Sequence, residues 1–187
     1  MPRQSLFVHG SAVVMKYPGG KGDPIGSPHT SGHQMNGVLE GRTRIEWSDI
    51  VGLRDVMGVT FRGRDSQTNT FLVAVPTPVY RYEPPDTRTA VRAKLARVAV
   101  NFHADPGVTI QRISVFDGAR PIAFPFPPMA LGGNRSSTWD PNVNYFDHPA
   151  PIDGLPQISS CVGVGFDVLF ANEGNIQFNV VGCDFIV

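Results

Sequence analysis

Residues 158–187, ISSCVGVGFDVLFANEGNIQFNVVGCDFIV, decide the fold of this chain. On both sides of the polar segment ANEGN, apolar residues alternate with glycine or polar residues, which is the pattern of a strand with one buried face. Residues 162–170 and 176–185 are therefore predicted to be strands. Because the segment between them is rich in turn formers, they are predicted to pair as one hairpin of the core sheet, with Phe166 opposite Val180.

The two cysteines of the chain lie in this stretch. The predicted hairpin puts Cys161 and Cys183 on one face in diagonal positions, roughly 7 to 8 Å apart. A disulfide needs Cα atoms about 5.5 Å apart and is strained beyond about 7 Å. Two free thiols, as in a reducing compartment, are therefore favoured over a bridge.

Further short strands precede this stretch and end at turns rich in glycine and proline. Residues 6–15 are predicted to form a first edge strand with a bulge or kink at Gly10. Residues 56–61 and 70–75 are predicted to pair as a second hairpin.

Two later segments carry distinct signals. Residues 87–103 fit both a helix and a strand, and we favour a strand from Lys94, with room for one helical turn before it. Asp117-Gly118 before residues 120–122 predicts a two-residue hairpin turn, because such turns need positive φ.

The composition fits a chain of many strands and turns. Of its 187 residues, 20 are Gly and 17 are Pro, while only 17% are charged. We predict one all-β domain over residues 1–187, an antiparallel β-sandwich of jelly-roll or Greek-key order, with a barrel as the alternative. Residues 17–37 and 129–156 are predicted to be two long surface loops.

Charge and hydropathy exclude several classes of partner. The 16 basic residues balance the 16 acidic ones, so no net field attracts nucleic acid or an anionic membrane. No run of about 18 apolar residues suggests a transmembrane helix, and the apolar segment after Arg3 is too short for a signal peptide. We therefore expect a cytoplasmic protein without a nucleic-acid or membrane partner.

Short motifs along most of the chain resemble a known group of proteins. They are IQRISVFDG at residues 110–118, ISSCVGVGF at 158–166, VGCDF at 181–185 and VHG at 8–10. Together they resemble a family of small bacterial β-sandwich proteins of the domain-of-unknown-function type. The resemblance implies a compact β domain and brings no activity or functional residue with it.

The loop at residues 129–156 carries the densest mixture of aromatic rings, carboxylates and carboxamides. Sugars are bound by such mixtures, because rings stack on their apolar faces while Asp and Asn bond their hydroxyls. An alternative is that the rings only cap the open end of the sandwich. A calcium loop is disfavoured, because Tyr145 stands where glycine is required and Pro151 where the bidentate glutamate belongs. The predicted ligand-binding residues are Trp139, Asp140, Asn142, Asn144, Tyr145 and Asp147.

His29 and His33 are the candidate metal ligands, since imidazoles four positions apart can share Zn²⁺ or Cu²⁺. His9, His103 or His148 would supply a third donor. A solvated pair in a loop without a metal is the favoured alternative, so no cofactor is expected. No nucleophile elbow, phosphate-binding glycine loop or His-Glu-x-x-His motif is present in the sequence, and no catalytic residue is assigned.

Three functional hypotheses follow. The first is a non-enzymatic binding or self-assembling module, with lectin-like glycan binding through residues 129–156 and homo-oligomers permitted by the near-neutral charge. The second is a metal-dependent enzyme acting on small molecules in a pocket between the sheets. The third is a structural subunit of a larger assembly.

Overall fold

The computed structural model describes residues 3–15, 37–39, 42–47, 50–55, 58–63, 67–78, 80–82, 90–124, 126, 129–134 and 145–187. Its regular elements in these ranges are sixteen strands and two short 3₁₀ turns, Gly10–Ala12 and Ile152–Gly154. Among these residues, no helix has the length and apolar character needed to span a bilayer.

The strands are numbered in the order in which they occur along the chain. In order they are β1 (Arg3–His9), β2 (Val14–Met15), β3 (Gly37–Leu39), β4 (Arg42–Trp47), β5 (Ile50–Asp55), β6 (Gly58–Gly63), β7 (Gln67–Val75), β8 (Tyr80–Tyr82), β9 (Ala90–Arg92), β10 (Lys94–Ala104), β11 (Val108–Asp117), β12 (Arg120–Ile122), β13 (Gly133–Asn134), β14 (Tyr145–Asp147), β15 (Val162–Phe170) and β16 (Gly174–Ile186).

Two antiparallel sheets pack against each other, which confirms the predicted all-β sandwich. Sheet A has the order β13-β10-β16-β6-β5-β4-β3, with β1 also on β16 and β14 also on β10. Sheet B has the order β12-β11-β15-β7-β2, and β8 and β9 form a separate pair. The jelly-roll or Greek-key order stays a prediction.

Aromatic rings fill the space between the sheets. Phe61 and Phe178 come from sheet A, and Phe71 and Phe166 from sheet B, and each is at most 1% exposed. Ring centroids of Phe178 lie 5.2 Å from Phe166 and 5.6 Å from Phe71, while those of Phe61 and Phe71 lie 4.5 Å apart. These contacts join the two sheets directly.

The predicted hairpin of residues 162–170 and 176–185 is wrong, although both segments are strands. β15 lies in sheet B between β11 and β7, whereas β16 lies in sheet A between β10 and the pair β1 and β6. The connection is held at the end of the sandwich by Ala171 N–H, which donates to Gly107 O at 2.9 Å. An alternating strand buries one face in either arrangement, so alternation does not distinguish pairing within a sheet from packing across the core.

Two other expectations are corrected in the same way. The segments predicted as a hairpin at residues 56–61 and 70–75 overlap β6 of sheet A and β7 of sheet B, which face each other through Phe61 and Phe71. The predicted first strand divides at the turn Gly10–Ala12 into β1 of sheet A and β2 of sheet B. Gly10 is therefore the point at which the chain changes sheets.

Two local predictions are confirmed. β10 begins at Lys94 and is a strand over its whole length. β11 and β12 form the predicted hairpin, with Asp117 paired to Arg120 and with Gly118 at φ 60°. The two residues of the turn are Gly118 and Ala119, so Asp117 ends the strand instead of occupying the turn.

Of the two segments predicted to be long loops, the structure describes only the second, and that one in part. Residues 17–36 lie outside the described part of the chain. Residues 129–156 include β13 and β14, which both pair with β10 and extend sheet A at that edge. This second segment is therefore partly strand, because its short extended pieces satisfy the free edge of β10.

Candidate functional site

The residues predicted to bind ligands are only partly placed. Tyr145 and Asp147 lie on β14, at the edge of sheet A. Outside the described residues lie Trp139, Asp140, Asn142, Asn144, His29 and His33. Asn134 pairs with His103 and Tyr145 pairs with Ala99, so the chain leaves β10 and returns to it within five positions of that strand.

Asp147 and Tyr145 are both held by Arg97 of β10. Arg97 Nε donates to Asp147 Oδ1 at 2.6 Å and Nη2 donates to Oδ2 at 3.1 Å. The Arg97 Cζ atom lies 4.9 Å from the centroid of the Tyr145 ring. The hydrogen bond to Asp147 raises the pKa of the Arg97 guanidinium. The Asp147 carboxylate and one face of the Tyr145 ring are thus occupied by the protein itself.

The same guanidinium approaches a buried carboxylate. Arg97 Nη1 lies 3.5 Å from Asp184 Oδ2, and Arg3 Nη1 lies 3.8 Å from the same oxygen. Asp184 is 4% exposed, and two nearby cations compensate the cost of burying its charge. This ion-pair network joins β1, β10, β14 and β16, which supports a structural role for it.

The aromatic residue between Tyr145 and Asp147 points the other way. The Phe146 ring lies 5.7 Å from that of Phe126, which stacks on Phe124 at 4.5 Å. His148 meets Phe124 edge-on at 5.0 Å, and its Nδ1 accepts a hydrogen bond from Ala150 N–H at 3.1 Å. Phe146 and Phe126 both pack against the hydrophobic core, which supports a structural role for the Phe146 ring.

The described histidines do not gather into a metal centre. His9 is bonded to Ser11, and His103 Nε2 lies 3.5 Å from Asp105. Among the described residues, no group of three His, Cys, Asp or Glu side chains is close enough to hold a metal ion. The hypothesis about His29 and His33 lies outside these residues and stays a prediction.

An apolar groove on the outer face of sheet B is a candidate binding site in the described part of the chain. Its volume is about 540 Å³, within the usual range for small-molecule sites. Gly163 of β15 lies between Phe116 of β11 and Ala74 of β7 in one row across the strands. The groove follows this row, and its main lining residues are Val14, Leu72, Ala74, Phe116, Cys161 and Gly163.

The two outward glycines of β15 differ in what covers them. A Cβ built on Gly165 would lie 3.1 Å from Leu72 Cδ2 and 3.5 Å from Phe116 Cε2, so these two side chains close over Gly165. A Cβ built on Gly163 would meet nothing nearer than 3.8 Å. Gly165 therefore lies beneath one wall of the groove, whereas Gly163 is its open floor.

The lining of the groove is uncharged. β15 pairs on both edges, so its backbone groups are used within the sheet. The Cys161 thiol is the polar side-chain group among the lining residues. Two carboxylates close to the groove are paired with arginines: Arg112 Nη2 of β11 lies 2.6 Å from Asp167 of β15, and Arg120 Nη2 lies 3.5 Å from Asp117. The groove can therefore bind an apolar group by contact and by displacing water.

The groove is not among the sites predicted from the sequence, although the sequence carries a signal for it. The outward positions of an exposed strand face are usually polar, and β15 has glycine at two of them, Gly163 and Gly165. Glycine inside a strand often marks a place where a ligand or another backbone approaches closely. The residues that form the walls come from β7 and β11. The sequence alone does not show that these two strands lie on either side of β15.

The two thiols are predicted to react very differently. Cys161 is exposed and Cys183 is buried, and both are free. Burial raises the pKa of the Cys183 thiol, which suppresses the reactive thiolate. We expect a thiol-specific aromatic disulfide to modify one cysteine of the native protein and both after unfolding in urea. Rapid modification of both thiols in the native state would contradict the burial of Cys183.

Comparisons of the chain with protein-family models, with curated proteins and with solved structures gave no match.

Proposed function

We propose that the protein is a non-enzymatic binding module that contacts its ligand through the groove on sheet B. The observation that carries the proposal is the open floor at Gly163, where a Cβ would fit without a clash. A larger residue at this position would stabilise the strand more than glycine does. Glycine at this position costs stability and keeps the groove open. An apolar ligand would occupy the space that a side chain leaves empty.

The packing of the sandwich supports a site on the outer surface. In the described residues, the space between the sheets is filled by rings such as Phe61, Phe71 and Phe178. A pocket between the sheets, as the metal-enzyme hypothesis requires, would have to displace this core. Glycan binding through residues 129–156 and assembly into larger particles stay predictions, and homo-oligomers would be seen by light scattering.

Filling the groove tests the proposal. The substitution Gly163→Val is expected to weaken binding of the uncharged hydrophobic dye Nile red at least tenfold, since the valine occupies the floor. The free energy of unfolding should stay equal or rise by up to about 1 kcal/mol, because the strand loses a glycine. Dye fluorescence and urea unfolding measure the two effects.

A matched control places the same side chain elsewhere on this face. Thr68 is an exposed residue of β7, six positions before Ala74 and outside the groove. The variant Thr68→Val is expected to bind the dye as the parent protein does. If Gly163→Val also binds it unchanged, or if the parent protein does not bind it, the proposal is wrong.

A further inference from the structure

The shape and charge of the groove indicate which class of ligand it accepts. We infer that the groove binds a linear, uncharged hydrocarbon chain that lies across the strands of sheet B. This inference rests on the proposed function and specifies the ligand for the same site.

The direction of the chain follows from the strand register. Phe116, Gly163 and Ala74 are Cα partners on three neighbouring strands, and Ala12 lines the groove on the β2 side of β7. Val14 is the Cα partner of Leu72 and therefore belongs to the neighbouring row. Neighbouring strands lie about 4.8 Å apart, so the row is roughly 14 Å long from β11 to the β2 side. The open floor thus runs perpendicular to the strands.

The width of the groove is that of one row of side chains. Leu72 pairs with Gly165 in the next outward row, and a Cβ built on Gly165 would touch both Leu72 and Phe116. Cys161 and Gly118 lie on the other side, joined by the hydrogen bond from Gly118 N–H to Cys161 O at 2.8 Å. Outward rows are about 7 Å apart along a strand, so a single extended chain fits between the walls.

The electrostatics match an uncharged ligand. The lining residues carry no charged side chain, and Arg112 and Asp167 neutralise each other beyond the Gly165 wall. A charged group placed on the floor would lose hydration without gaining a partner. A methylene chain loses no hydrogen bonds there and gains burial of its apolar surface.

Cys161 provides a direct reporter of the site, because it lines the groove and is the exposed thiol. The rate of its modification by an aromatic disulfide is measured at rising concentrations of 1-hexanol, 1-octanol, 1-decanol, 1-dodecanol and 1-tetradecanol. Bound alcohol is expected to slow the reaction, and the concentration for half protection gives the dissociation constant.

The chain length sets the expected trend. Burial of a methylene contributes about 0.8 kcal/mol when complete, so each added methylene should lower the dissociation constant between about twofold and fourfold in this open groove. Because its C–C bonds of about 1.5 Å zigzag, an extended hydrocarbon chain advances only about 1.25 Å per carbon, so roughly twelve carbons span the row and the gain should stop near 1-dodecanol. Gly163→Val should lose the protection, and Thr68→Val should keep it.

The possible failures are distinguishable. If Nile red binds and Gly163→Val removes it, but affinity does not rise with chain length or cyclohexanol protects better than 1-hexanol, the linear ligand is wrong and the binding site stands. If Cys161 becomes protected as the protein concentration rises without any alcohol, a second copy covers the groove, which also overturns the inference. If neither the dye nor any alcohol binds, both the inference and the proposed function are wrong.

Discussion

Replacing Phe178 with alanine is expected to lower the free energy of unfolding by about 3–5 kcal/mol, the usual cost of removing a buried phenylalanine. Phe178 is 0% exposed and contacts the rings of Phe71 and Phe166, which belong to the opposite sheet. The cavity would therefore lie at the contact between the two sheets, where neighbouring strands have little freedom to close it. Urea unfolding followed by circular dichroism measures the loss.

An exposed apolar residue serves as the control for this substitution. Ile152 is 48% exposed and lies in the second 3₁₀ turn. Ile152→Ala should change the free energy of unfolding by less than about 0.5 kcal/mol, as surface substitutions usually do. Equal losses in the two variants would show that Phe178 does not belong to the core that joins the sheets.

Gly58→Ala is the second substitution with a large expected effect, a loss of at least about 3 kcal/mol. Gly58 has a φ of 135°, a region where other residues are strained by about 1–3 kcal/mol. A Cβ at this position would lie 1.9 Å from the carbonyl oxygen of Phe178, which is backbone and cannot rotate away. The edge of β16 would have to separate from β6, at a cost beyond the strain alone.

Two other glycines separate strain from collision. Gly133 has a φ of 75° with nothing within 4 Å of its Cβ position, so Gly133→Ala should cost only the strain of about 1–2 kcal/mol. Gly163→Ala carries neither penalty and should be neutral or slightly stabilising. The loss in the free energy of unfolding is therefore expected to be largest for Gly58→Ala, smaller for Gly133→Ala and absent for Gly163→Ala. A loss for Gly58→Ala no larger than for Gly133→Ala would contradict the close approach to Phe178.

The crowding at this carbonyl explains a feature that alternation alone does not show. A Cβ on Gly10 would lie 1.8 Å from the same Phe178 oxygen. The turn that carries the chain from sheet A to sheet B and the start of β6 thus both pack on one point of β16. The kink predicted at Gly10 is a requirement of that packing, and its partner lies far away in the sequence.

Some residues of the candidate sites could be predicted from the sequence, but their contacts could not. Tyr145 and Asp147 were singled out by composition, but Arg97 occupies one ring face and the carboxylate, and their spacing to Arg97 is set by the register of β14 on β10. Gly163 was visible as a glycine in an alternating strand. Its neighbours Phe116 and Ala74 are 47 and 89 residues away, so the groove could not be assembled from local pattern.

The sequence by itself determined that the chain is built of strands, where β10 and the β11–β12 hairpin lie, and which faces are apolar, because side-chain alternation and turn residues act over a few positions. Only the tertiary structure decided that β15 and β16 belong to different sheets, that β6 and β7 do likewise, and that an open groove forms over Gly163. The physical reason is that an apolar face is buried equally well beside a partner strand or across from one. The choice depends on which distant strands occupy the two edges, and local sequence carries no record of that.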